Sequence, residues 1–178
     1  MYAKDFSGIA GSVSSNPALQ ARIVSLIQNE KIPGKVTEGD GRVESLREIL
    51  TSYFQGQMSF HQTISDVEFK IPRHYSAHEN NNRVFPNGWA EKLIRTSISR
   101  FYNQAVLMEI IESGGTECFI AHSESESSDS NCSKYLAGSK QSAPIMLDRL
   151  LSSYRDGNWN NEVKIPDHPY CTHTVQPA

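Results

Sequence analysis

The feature that most constrains this chain is a helical run of apolar residues from Trp89 to about Ser113. Ile94, Ile98, Phe101, Ala105 and Met108 recur at intervals of three and four, and Leu93, Tyr102, Val106 and Ile110 widen the stripe. Gly114-Gly115 stops it. A helix of this length is about 36 Å long, enough to cross a small domain. A stripe this broad buries on two sides, so the helix is expected to be the scaffold on which the rest packs.

Shorter elements surround it. Asn16-Pro17 supplies an N-cap and a first-turn proline, and Leu19, Ile23, Leu26 and Ile27 then share one helical face. Val43, Leu46, Ile49, Leu50, Tyr53 and Phe54 form a second amphipathic pattern, closed at Gly56. Asp66-Val67-Glu68-Phe69-Lys70-Ile71 alternates polar and apolar, the period of a half-buried strand, and Pro72 ends it. A polar loop follows. His74 and His78 stand four apart there, but Tyr75 occupies the position where a metalloprotease helix carries its glutamate base, so both read as solvated loop histidines.

Past the long helix, Glu117 to His122 reads as a strand and Ser123 to Asn131 as an acidic, serine-rich loop. Pro144 opens a helix with Leu147, Leu150, Leu151 and Tyr154 on its core face, ending at Asp156-Gly157. The tail from Glu162 reads as a short strand, a turn between Pro166 and Pro169, and a last strand through Val175. The expectation is an α+β fold in which the long helix packs on a small β-sheet. It divides into an N-terminal helical segment (1–60), a strand and polar loop connection (61–88) and a main domain (89–178).

Composition limits the function. A net charge of −3 and a pI near 6.1 over 178 residues argue against a general nucleic-acid binder. No apolar run approaches the roughly 18 residues of a membrane span. The N-terminus lacks the apolar core and cleavage site of a secretion signal. Three widely spaced cysteines make no disulfide framework, and the expectation is a soluble protein of a reducing cytosol.

Chemistry concentrates in two segments, Asp129 to Gly138 and Pro166 to His173. On a strand, Cys171 and His173 project from one face, and the proline-fixed turn folds His168 back toward them. With Cys132 they make four soft or borderline ligands, the inventory of a closed tetrahedral zinc site. Such a site would staple the C-terminal strand to the mid-domain loop where large apolar residues are few. The plainer reading treats the cysteines as small core hydrophobes, as Cys118 in its apolar strand is expected to be. A Cys171–His168 nucleophile pair is the third reading, without a visible orienting group.

The order of these features resembles the C-terminal domain of the phage Mu F-like head morphogenesis proteins. Arg95-Thr96 and Asn103-Gln104-Ala105 match the family's Arg-Thr start and Asn-x-Ala centre of a helix running into a glycine, here Gly114. Asp129 to Cys132 and Leu136 to Gly138 match its Asp-x-x-Cys segment, and His168-Pro169-Tyr170-Cys171-Thr172-His173 its His-Pro-x-Cys-x-Cys motif. The likeness covers about half the chain. It departs at His173, where the family has cysteine, and at the middle segment, where Cys132 stands alone and Tyr135 occupies the place of a second ligand.

The resemblance implies a non-enzymatic, low-copy minor head protein of the virion, made in the host cytoplasm. Its partners would be the portal protein, other head proteins and packaged viral DNA, with no membrane. Lys92, Arg95 and Arg100, with Arg73 and Arg83, form a candidate phosphate-facing patch, whose plainer reading is a solvated helix surface. The competing class is a metal-dependent hydrolase or toxin-type nuclease built on the same Cys/His cluster. A portal-independent adaptor that binds through its N-terminal helices is a further alternative.

Overall fold

The computed structural model covers residues 1–178. It has seven helices and a three-stranded antiparallel sheet, an α+β fold. The helices are α1 (Ile9–Ser14), α2 (Pro17–Asn29), α3 (Arg42–Phe54), α4 (Phe60–Lys70), α5 (Trp89–Glu112), α6 (Asn131–Tyr135) and α7 (Ala143–Tyr154). The strands are β1 (Glu117–Ile120), β2 (Ser139–Ser142) and β3 (Val175–Pro177), in sheet order β2-β1-β3. No helix is long and apolar enough to cross a membrane.

Helix α5 is the scaffold. Its residues Ser97 to Leu107 are all buried, and α7, α2, α4 and β3 pack around it. A continuous stretch buried on every side must take polar residues inward, and each then needs a partner. Asn103 solves this locally: its Nδ2 donates to Ser99 O at 2.7 Å and Ser99 Oγ at 3.0 Å, and its Oδ1 accepts the Val175 N–H at 2.8 Å. One amide thereby docks β3 onto the helix. The Tyr102 hydroxyl accepts the Ala3 N–H at 2.7 Å, tying the N-terminus to the same region.

The stretch from Asp66 to Ile71, expected as a strand, is helical. Ser59 and Gln62 form a reciprocal capping box, and Thr63, Val67 and Ile71 are fully buried at intervals of four. Phe69, which completes the apparent alternation, is 83% exposed. Six alternating residues were therefore a fragment of a helical pattern that begins at Phe60. The strand expected near Glu162 also does not form; that segment is irregular, and the last strand is confined to Val175–Pro177.

Three elements carry too weak a pattern to be seen in the sequence. Helix α1 buries only Ile9, Ser12 and Val13. Helix α6 is five residues long, and β2 is Ser-Lys-Gln-Ser. Strand β2 joins the sheet through its backbone, Cys118 lying opposite Gln141 and Ile120 opposite Ser139. Cys118 itself is a fully buried core residue, and its thiol is pushed up to about 11 by burial.

Replacing Asn103 with alanine strands the buried Val175 N–H and removes the contact that docks β3. The expected loss is about 1–3 kcal/mol, read as a lower urea midpoint with an unchanged slope. An unaltered midpoint would show that β3 is held by other means.

Candidate metal centre

Three segments build the centre. Helix α6 presents Cys132 from its first turn, where Ser130 caps the helix by accepting the Ser133 N–H and also lies 3.3 Å from Cys132 Sγ. The exit from α6 is fixed by Gly138, whose N–H donates to Ile120 O at 2.7 Å. Its φ is +73°, and a Cβ there would lie 2.3 Å from the His122 ring, so both conformation and space require glycine.

The second segment is the turn from Pro166 to Cys171. The Tyr154 hydroxyl donates to Pro166 O at 2.8 Å, and the Cys171 N–H donates to His168 O at 3.0 Å. These bonds fold His168 back toward Cys132 and Glu126. Beyond Cys171 the chain is held by the N-terminus: the Phe6 N–H donates to Thr172 O at 2.8 Å, and Thr174 Oγ1 donates to Ala3 O at 2.7 Å.

The third segment is the acidic loop, which supplies Glu126, a residue not singled out from the sequence. Its side chain is only 3% exposed. Its Oε2 accepts the Thr172 N–H at 2.8 Å, with Thr172 Oγ1 at 3.3 Å, while Oε1 faces His168 Nε2 at 3.0 Å. Glu124, Glu126 and Asp129 are indistinguishable by spacing, and only the folding back of the loop selects the middle one. Tyr135, at the expected place of a second middle ligand, is 67% exposed and takes no part.

The ligand atoms of Glu126, Cys132, His168 and Cys171 all lie within 4.8 Å of one another. Cys132 Sγ is 3.7 Å from Cys171 Sγ and 3.7 Å from His168 Nε2. For tetrahedral zinc, bonds of about 2.3 Å to sulfur and 2.0–2.1 Å to nitrogen give edges of about 3.8 Å for S···S and 3.6 Å for S···N. These two edges therefore have nearly the lengths that one ion would impose. His173 is adjacent, its Nδ1 4.0 Å from Cys171 Sγ and 3.8 Å from Glu126 Oε2, but it falls outside this tight group. Glu126 thus stands in the place that the sequence reading assigned to His173.

The electrostatics favour a soft cation. The Cys171 thiol donates to Cys132, which with His168 holds the Cys132 thiol well below its usual range; the same thiolate raises Cys171. Contact with Cys132 also raises His168, aided by Glu126. A catalytic relay would use the two ring nitrogens of His168 for different partners. Here one nitrogen, Nε2, faces both Cys132 and Glu126, an arrangement that suits convergence on a common point. None of the molecule's larger clefts is lined by any of these residues.

The five cations expected as one patch divide: Lys92, Arg83 and Arg100 line one cleft, while Arg73 and Arg95 are engaged elsewhere. Arg73 is used within its loop, donating to Glu79 O, Phe85 O and Asn82 Oδ1. Arg95 lies against Phe6, Phe60 and Tyr170, with its carbon centre 4.3, 6.0 and 5.4 Å from the three rings. Arg100 is 3% exposed and is no surface residue, because the middle of α5 is enclosed. His78 pairs with Glu38 at 2.5 Å and His74 lies against Tyr75.

In metal-free protein, Glu126→Ala should lower stability by about 1–3 kcal/mol by leaving the Thr172 N–H without its acceptor. Glu126→Gln, which keeps an acceptor oxygen, should recover most of that loss. Denaturant unfolding in the presence of a chelator measures both, and equal losses would show that the carboxylate charge, not the hydrogen bond, holds Thr172.

No family model, no curated protein and no solved structure matches the chain.

Proposed function

We propose that this chain is a structural protein of a tailed-phage head, present in few copies near the portal. In this reading it touches the portal protein, other head proteins and packaged DNA, and its C-terminal part is stapled by one zinc ion. The observation that carries the proposal is the convergence of Cys132, Cys171, His168 and Glu126 from separate segments onto one point. Cys132, His168 and Cys171 come from the two motifs that resemble the Mu F-like head proteins.

The donor set fits zinc: two sulfurs, one imidazole nitrogen and one carboxylate oxygen. Cys132 Sγ, Cys171 Sγ, His168 Nε2 and Glu126 Oε1 would hold the ion, while Glu126 Oε2 keeps its bonds to Thr172. Four protein ligands leave no open position for a water or substrate, which is the coordination of a structural site. The residues around the ion then have positioning roles. Ser130 orients Cys132, Thr172 orients Glu126, and Tyr154 anchors the turn that carries His168. A closed staple serves assembly by making a rigid surface, without turnover of a substrate.

Two measurements test the two parts. Purified protein should contain one zinc per chain, and its removal, or Cys171→Ser, should lower the melting temperature by about 10 °C or more, roughly 3–5 kcal/mol for this length. A metal-free preparation with an unchanged melt would contradict the staple. Quantitative mass spectrometry of particles should find a few copies of the chain per head, and its absence from particles would contradict the head assignment.

A further inference from the structure

The chain contains two buried arginines, and their surroundings differ. Arg42 is 6% exposed and fully engaged: Nε donates to Val36 O, Nη1 to Pro72 O and Nη2 to Ile71 O, at 2.8 to 3.1 Å. Arg100 is 3% exposed, and its buried Nε and Nη2 have no partner at all. The Phe101 ring lies 4.5 Å from its guanidinium carbon. The carboxylate of Glu30 acts on it from beyond hydrogen-bonding distance. Burial pushes the guanidinium down to about 10, so it still carries its charge at neutral pH.

Arg100 lines the inner wall of a cleft of about 400 Å³. Lys92, two turns earlier on the same face of α5, and the exposed Arg83 line it as well. No acidic residue lines the cleft, and none of these three cations is in a salt bridge. The other walls include Trp89, Tyr154 and Trp159. Trp159 stands edge-on to Tyr154 with centroids 5.0 Å apart, yet is 66% exposed at the rim. An unpaired buried guanidinium is poorly explained by folding, since it costs stability in the free protein.

A ligand that satisfied this cleft would bring an anion to the guanidinium and a flat ring to the indole. Three cations outside any salt bridge match a phosphate dianion better than a single carboxylate, and arginine's planar fork suits phosphate oxygens. Tryptophan and tyrosine side chains are the usual stacking platforms for bases. The volume lies within the range of about 300–1,000 Å³ found for small-molecule sites. We propose that this cleft binds a nucleoside 5′-phosphate, with the phosphate on Arg100, Lys92 and Arg83 and the base against Trp159. The nucleotide is either free or the 5′ end of a nucleic-acid strand. The site shares no metal ligand with the metal centre, although Tyr154 and Pro169 of the neighbouring turn line the cleft, and the inference does not depend on the head assignment.

The test is calorimetric titration of the full chain with 5′-AMP, inorganic phosphate, and a short single strand with and without a 5′-phosphate. Saturable binding of 5′-AMP is expected, at least 10-fold tighter than inorganic phosphate. Arg100→Met should weaken it at least 10-fold while the melting temperature holds or rises, because a buried unpaired charge has been removed. Arg83→Ala and Trp159→Ala, both at exposed positions, should each weaken it several-fold without changing the melt, and they keep the test valid if Arg100→Met fails to fold. A 5′-phosphorylated strand binding at least 10-fold tighter than both 5′-AMP and its unphosphorylated counterpart identifies a strand end as the ligand; comparable affinities of strand and 5′-AMP identify the free nucleotide. No binding of 5′-AMP at millimolar concentration would overturn the proposal. So would equal affinity for inorganic phosphate, or affinity unchanged in all three variants.

Discussion

Enclosure of the middle of α5 is the constraint on which the rest of this structure depends. Eleven consecutive residues, Ser97 to Leu107, are buried, so other segments have to cover every side of one helix. On most sides the cover is regular: α2, α4 and α7 lay amphipathic faces against it. Burial of Ile94, Ile98, Phe101, Ala105 and Val106 there supplies the non-directional part of the stability. The remaining side is covered by the C-terminal segment, which has almost no regular structure between Tyr154 and Val175. A segment of that kind has no apolar stripe to fix its register.

It is placed by individual polar contacts, each tied to a different part of the chain. Asn103 takes the Val175 N–H, Tyr154 holds Pro166, Glu126 takes the Thr172 N–H, and the N-terminal residues Ala3 and Phe6 bind Thr174 and Thr172. The two cysteines and His168 meet where these contacts cross. A metal bound there would convert a set of separate hydrogen bonds, each worth about 1 kcal/mol net, into one cooperative crosslink. Irregular chain, dense polar anchoring and a convergent ligand set are thus consequences of the same need to close one side of α5.

Much of this was legible in the sequence where a pattern repeats. The stripe on α5, the capped start of α2 at Asn16-Pro17 and the face of α3 are read directly because burial imposes a helical period on many residues. Six residues around Val67 are too few to separate the two periods, and the decisive information lay upstream in the Ser59–Gln62 cap. Strand β2 is polar because its backbone ladder with β1 joins it to the sheet and its side chains stay at least partly exposed. At the candidate centre, Cys132, His168 and Cys171 stand out by chemistry and by the proline turn, whereas Glu126 is one acid among several in a serine-rich loop. Its role depends on a loop closure that no local pattern encodes. Arg100 misled for the opposite reason: a cation on a helix reads as solvated unless the tertiary enclosure is known.

The central claim is that Cys132, Cys171, His168 and Glu126 share one zinc ion. Zinc-edge X-ray absorption on the purified chain tests it most directly, since the fine structure counts scatterers by element and distance. The account predicts two sulfurs at about 2.3 Å and two nitrogen or oxygen atoms at about 2.0–2.2 Å. A coordination shell without sulfur, or a folded protein that takes up no zinc, would contradict it.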